Sequence, residues 1–133
     1  MLEAVRVHAI EVGMHEASSV ERAIGNVVTT WPADRAAGHL ELRIRDATRA
    51  EPMAVSFYAT AVLRDLGLDD VAFEVVVDRM RCQVCGAASV PTPAHPVCED
   101  CGLPLRGLDG PAITCEDADP GTSGTPATYP GSA

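Results

Sequence analysis

Five cysteines occur in this 133-residue sequence, and four of them fall in two copies of one short pattern, Cys82-Gln83-Val84-Cys85-Gly86 and Cys98-Glu99-Asp100-Cys101-Gly102. Each Cys-x-x-Cys-Gly is a knuckle, a tight turn that aims two thiolates and two backbone amides at one point. The glycine relieves the backbone where the turn closes. Twelve residues, 86–97, separate Cys85 from Cys98. Two knuckles supply four thiolates in a tetrahedron, the arrangement Zn²⁺ takes in structural sites. Protein fills all four positions, so none is open for catalysis. Binding of this kind contributes on the order of 10–16 kcal/mol in small zinc peptides, enough to fold a loop that has almost no core. The same ligand set serves a rubredoxin-type iron centre, and a single Cys-x-x-Cys serves as a redox dithiol. The doubled pattern favours structural zinc over both.

Other residues able to do chemistry are fewer. His95 lies between the knuckles, either as a solvated loop histidine or as a fifth, competing ligand. Cys115 stands alone in a short apolar stretch and reads as a buried, inert thiol. Met14-His15-Glu16 precedes the first helical pattern. A His beside a Glu carries little information by itself. With Met14 as first residue, its free α-amine, the His15 amide and the His15 imidazole would form a chelating row. Those nitrogen donors favour a square-planar ion such as Ni²⁺ or Cu²⁺. No Ser-His-Asp or Cys-His pairing, no paired-carboxylate pocket motif and no Gly-rich phosphate loop is visible, which argues against an enzyme.

The elements that must position these groups follow from hydrophobic periodicity. Val20, Ala23, Ile24, Val27 and Val28 predict a helix from about Ser18 to Thr30, opened by a Ser18–Glu21 capping box and closed before Trp31-Pro32. Leu40, Leu42 and Ile44 alternate with Glu41, Arg43 and Arg45, the pattern of a half-buried strand. Glu51-Pro52 opens a second helix that runs to about Leu66 and stops at Gly67, with Val55, Ala59, Val62 and Leu66 inward. A second strand is expected over Val71–Val77 and a third over Ala112–Glu116. From Asp117 onward Gly, Pro, Ser and Thr dominate without periodicity, which predicts a disordered tail.

The expected fold class is therefore α+β: a small three-stranded sheet with two helices on one face, interrupted by a four-cysteine zinc-ribbon module. The expected boundaries are an N-terminal extension over 1–13, an α+β domain over 14–78 and 107–117, a zinc domain over 79–106, and a tail over 118–133. Within 1–13, Leu2, Val5, Val7 and Ile10 suit a short strand or a disordered extension. The strands flanking the insertion are expected to pair and to carry the module on a two-stranded stalk.

The net charge of −9 argues against sequence-independent nucleic-acid binding. No apolar run reaches the roughly 18 residues that span a bilayer. Met1–Gly13 has no basic start, apolar run or cleavage site, so the cytoplasm is the expected compartment and the cysteines are expected to bind metal rather than form disulfides.

Taken together, these segments make the chain similar to the HypA/HybF family of hydrogenase maturation nickel metallochaperones. The resemblance spans roughly Met14 to Glu116: Met14-His15-Glu16, the stretch LELRIRDATRAEPMA over Leu40–Ala54, the helix to Leu66, the strand Val71–Val77, and both knuckles. It implies a nickel site at His15 with the adjoining Met14 backbone, supported by Glu16, and a zinc site at Cys82, Cys85, Cys98 and Cys101. It also implies delivery of Ni²⁺ to the large-subunit precursor of a [NiFe]-hydrogenase, with the nickel-handling GTPase of that pathway as partner. The alternative is a zinc-ribbon adaptor that mediates protein contacts without nickel. Three features depart from the family pattern. Ala17-Ser18-Ser19 intervenes before the first helix, Arg45, Asp46 and Arg49 occupy a turn usually richer in Gly, and residues 1–13 precede Met14. Either the chain starts at Met14, or the extension is real and His8 or Glu11 supplies replacement ligands, or nickel binding is weak or lost.

Overall fold

The structure is a computed structural model that describes residues 16–118. Met14, His15, His8, Glu11 and the tail from residue 119 lie outside the described residues. The first helix, α1, is described over 16–28. It is already helical at Glu16, so Ser18 and Glu21 lie inside it and the expected capping box does not open it. Val20, Ala23 and Ile24 are buried. At its end Thr29 and Thr30 turn their hydroxyls onto the Gly25 and Val27 carbonyls, drawing the last turn closed.

The remaining elements are β1 (Ala37–Ile44), α2 (Pro52–Asp65), β2 (Asp70–Val77), β3 (Met80–Arg81), β4 (Ala88–Ser89) and β5 (Ile113–Asp117). Helix α2 starts as its sequence requires, with Pro52 in the first turn and the Glu51 carboxylate accepting from the Met53 and Ala54 amides. It ends in a Schellman motif: Leu68 N–H donates to the Leu63 carbonyl and Gly67 N–H to Arg64. Leu63, not Leu66, completes the buried face with Val55 and Ala59, and Leu66 is 50% exposed. The inward row runs at spacings of four from Val55, which leaves Leu66 off the stripe.

The main sheet has the order β2-β1-β5. Strand β1 pairs parallel with β2 and antiparallel with β5. Leu40, Leu42 and Ile44 of β1 are fully buried and pack with α1 and α2 in one core, while Glu41 and Arg43 face the other side. The expectation that the strands flanking the insertion pair with each other is thus corrected. The strand with the most deeply buried face takes the centre, where it gains two partners, and β2 and β5 take its edges. Ile44 pairs with Val77 on one side and Ile113 on the other, so the module leaves and re-enters astride the end of β1.

Just beyond that end lies Asp46, whose carboxylate has no exposed surface. Its Oδ1 accepts from the Thr48 amide (3.0 Å) and the Thr48 hydroxyl. Its Oδ2 accepts from Arg49 Nε (2.9 Å) and the Leu108 amide (2.8 Å). Arg49 Nη2 also donates to the Leu108 and Gly110 carbonyls. Gly107 passes so close that a side chain there would bring its first carbon to 3.0 Å from Oδ2. At the other end of the sheet Asp117 receives the Trp31 indole N–H (3.1 Å) and the Arg35 guanidinium (2.9 Å), which stacks on the Trp31 ring.

Burial would raise the Asp46 pKa, but the bonds from Thr48, Leu108 and Arg49 outweigh it and hold the carboxyl below its ordinary value. A depressed folded value contributes stability above the unfolded pKa of about 3.9 and loses it as pH falls through the folded value. Asp46→Asn, whose amide sets a donor against the Leu108 and Arg49 donors, is expected to cost about 2 kcal/mol or more at neutral pH. The gap between wild type and variant should close as pH drops below about 4. Denaturant unfolding at several pH values checks this, and a pH-independent gap would show that the charge contributes nothing.

Candidate metal centre

The module between β2 and β5 is built from the two knuckles and little else. Cys82 N–H donates to the Ala87 carbonyl (2.8 Å) and Gly86 N–H to the Cys82 carbonyl (3.0 Å). The second knuckle repeats this with Cys98 to Leu103 (2.8 Å) and Gly102 to Cys98 (2.9 Å). The closing residue of each turn is left-handed, at φ +80° for Gly86 and +76° for Gly102, a conformation glycine adopts without steric cost. In both, the amide two residues after the first cysteine points at its sulfur: Val84 N–H to Cys82 Sγ and Asp100 N–H to Cys98 Sγ, each 3.4 Å. The short β3–β4 pair holds the first knuckle, and bridges between Val97 and Pro104 hold the second.

These two turns bring Cys82, Cys85, Cys98 and Cys101 together, with all four sulfurs within 4.8 Å of one another. Cys82 Sγ lies 3.7 Å from Cys101 Sγ, and Cys85 Sγ lies 3.6 Å from Cys98 Sγ. A disulfide needs about 2.05 Å, so these sulfurs are not bonded to each other. A tetrahedral ion with metal–sulfur bonds of about 2.3 Å has ligand atoms about 3.8 Å apart, which these distances match. The site can hold a metal ion such as zinc. The first cysteine of each knuckle is buried and the second exposed, so the cluster sits at the module surface with one flank on Met80 and Leu105.

Electrostatics divide the thiols in the same way. Amides of Cys85 and Val84 pull Cys82 down to about 6. Amides of Cys101 and Asp100 lower Cys98. The Ala87 amide pulls Cys85 down, but its thiol contact with Cys98, burial, and the thiols of Cys101 and Cys82 together push it up to about 12. For Cys101 the Leu103 amide is outweighed by burial and by Cys82, and the value rises. In each knuckle the backbone amides thus favour the charged form of the first cysteine, while the second is pushed the other way.

The other sequence candidates fall elsewhere. His95 is exposed and stands outside the cluster, its amide bonded to the Thr92 carbonyl and hydroxyl. Cys115 is half-buried against the sheet core, and burial, with Asp117, Glu116 and Glu41, pushes its thiol up to about 12, which keeps it protonated and inert. Glu16 is half-buried, and its carboxylate accepts from the Glu51 amide at 3.0 Å. Sequence reasoning missed the Asp46–Arg49 grip on the return leg of the module. The signal was present in Asp46-Ala47-Thr48, a pairing that favours a side-chain-closed turn.

Fold and site together define an α+β protein with an inserted four-cysteine module able to hold a metal ion. Comparison with known protein families, with curated proteins and with solved structures finds no match. No helix among the described residues is long and apolar enough to cross a membrane.

Two measurements test the centre. The purified chain is expected to hold about one Zn²⁺ by elemental analysis. In Cys82→Ser, residues 82–101 should become protease-sensitive while the sheet core, which shares no residue with the module core, stays folded. Iron in the purified protein, or a variant that resists protease, would overturn the structural-zinc reading.

Proposed function

We propose that this chain is a nickel-binding accessory protein in which the four-cysteine module holds structural zinc and the residues ahead of α1 carry Ni²⁺ as cargo. On this reading His15 and the Met14 amine are the nickel ligands and Glu16 supports them. Ni²⁺ passes to the large-subunit precursor of a [NiFe]-hydrogenase, with a nickel-handling GTPase as partner. The resemblance over Met14–Glu116 motivates the reading. The observation that carries it furthest is the hydrogen bond from the Glu51 amide to Glu16. It ties the residue next to His15 to the N-cap of α2, so a ligand set there would have a fixed point on the fold. Four thiolates leave no position for a second ion in the module, so a cargo ion that prefers nitrogen donors needs a separate site.

A second reading has its own observation. Val84 is 70% and Leu103 44% exposed beside the knuckles, which suits an adaptor that contacts a partner through the tip of the zinc module.

Proteins starting at Met1 and at Met14 separate the two. Initiator Met is kept before a residue as large as His, so the Met14 form presents its amine beside His15. It is expected to bind about one Ni²⁺ with a diamagnetic, square-planar signature. Binding should weaken as pH falls through about 6.5, because the imidazole must be unprotonated to ligate. His15→Ala should abolish nickel binding and leave zinc in place. The Met1 form should bind more weakly, unless His8 substitutes, which His8→Ala would reveal. Equal binding by both forms with no effect of His15→Ala would remove the mechanism and favour the adaptor.

A further inference from the structure

Helix α2 turns one face away from the core, and that face changes character along its length. Its exposed positions run Met53, Phe57, Thr60 and Arg64, the spacing of one helix face. The first two are apolar and the last two polar. Met53 is 78% and Phe57 69% exposed; with Val84 they are the most exposed large apolar side chains among the described residues. Single exposed apolar residues are ordinary on a surface, but two at i and i+4 make one continuous strip. Phe57 also has a ring neighbour, standing edge-on to Tyr58 with centroids 5.5 Å apart.

The strip begins beside the point where the preceding chain joins the described fold. The Glu16 carboxylate accepts from the Glu51 amide at 3.0 Å, and Glu51 is the N-cap of α2. Phe57 lies about 9 Å further along the helix axis. At about 3.3 Å per extended residue, roughly five residues of chain ahead of Glu16 cover that distance with length to spare. The sequence there reads Ile10-Glu11-Val12-Gly13-Met14. In an extended chain Ile10, Val12 and Met14 share one side at steps of about 6.6 Å, with Glu11 on the other. Met53 and Phe57 stand about 6 Å apart along their helix, so the two apolar rows have nearly the same period.

We propose that the Met53–Phe57 strip is a docking site for the chain's own residues 10–14, laid extended along the first two turns of α2. Val12, the middle of the apolar row, falls on the strip in either of the two registers available, and Glu11 stays in water. The tether favours this occupant over a free one, because a segment joined to the fold at the N-cap is present at high effective concentration. The strip also stops being apolar at Thr60, near the limit of what so short a segment covers. No metal takes part, so the contact is independent of both the zinc and the nickel readings.

Cleavage after Glu11 by a glutamate-specific protease, followed by mass on the full chain from Met1, tests the contact, since a docked backbone must detach before it is cut. Phe57→Ser and Val12→Ser should each raise the rate of that cut by roughly tenfold. The double variant should be cut no faster than either single one, because both changes remove the same contact. Should Phe57→Ser fail to fold, Val12→Ser decides alone. Nuclear Overhauser contacts between the Val12 methyls and the Phe57 ring identify the occupant and should persist on dilution. Contacts that fade on dilution, or that join differently labelled chains in a mixture, would put a second copy on the strip and overturn the proposal. Equal cleavage of wild type and variants, with no Val12–Phe57 contact, would leave the strip to another protein and equally end it.

Discussion

A carboxylate with no exposed surface sits where the chain's two packed units meet, and their relative placement depends on it. Burying an unpaired charge is costly, so Asp46 is tolerated only because four donors converge on it. Three come from its own turn, two from Thr48 and one from Arg49, and one comes from the return leg 62 residues later. That last bond converts a local turn into a long-range tie. The fit is close: a Cβ at Gly107 would lie 3.0 Å from Asp46 Oδ2, so a larger residue there would crowd the carboxylate.

The two units need that tie because they are stabilised by different physics. The sheet and its helices share a continuous apolar core fed by every element of the layer. The module's apolar core has four residues, two of them cysteines, and its two strands have two residues each. A core that small does not offset the chain entropy of the loop it closes. A tetrahedral metal does, since its binding free energy is folding free energy for the knuckles. The glycines at Gly86 and Gly102 and the amides aimed at Cys82 and Cys98 are what such a site asks of the backbone.

Much of this was legible in the sequence, for identifiable reasons. The knuckles were readable because metal geometry fixes residue type, spacing and glycine position at once. The central strand was readable because Leu40, Leu42 and Ile44 alternate with charged residues, and α2 because Glu51-Pro52 and Gly67 punctuate it. The start of α1 was misread because Ser18 and Glu21 satisfy a capping pattern that tertiary contact overrides: Glu16, bonded to Glu51, carries the helix back past the apparent cap. Strand order was misread because adjacency in sequence suggested that β2 and β5 pair. Burial decides instead, since the strand with the most apolar face gains most from the centre. Asp46-Ala47-Thr48 signals a side-chain-closed turn, but the tie to the return leg was not legible because its donor, the Leu108 amide, is backbone.

On the proposed reading, ligand chemistry explains why one small chain would keep two metal functions apart. Thiolates are soft donors, and a tetrahedron of four is saturated, so an ion such as zinc there would be held and not handed on. Cargo must leave, which requires a site with fewer or exchangeable ligands, and amine, amide and imidazole nitrogens ahead of α1 have that character on the proposed reading. Such a site would gain by being remote from the thiolates, which would otherwise compete for the ion. Yet it would gain equally by a firm seat on the fold, because a ligand row on a loose terminus loses affinity to conformational entropy. On that reading the Glu16–Glu51 bond would supply the seat, at the first described residue of the chain. One short segment between β1 and α2 thus holds the return leg through Asp46 and Arg49 and the described start of α1 through the Glu51 amide.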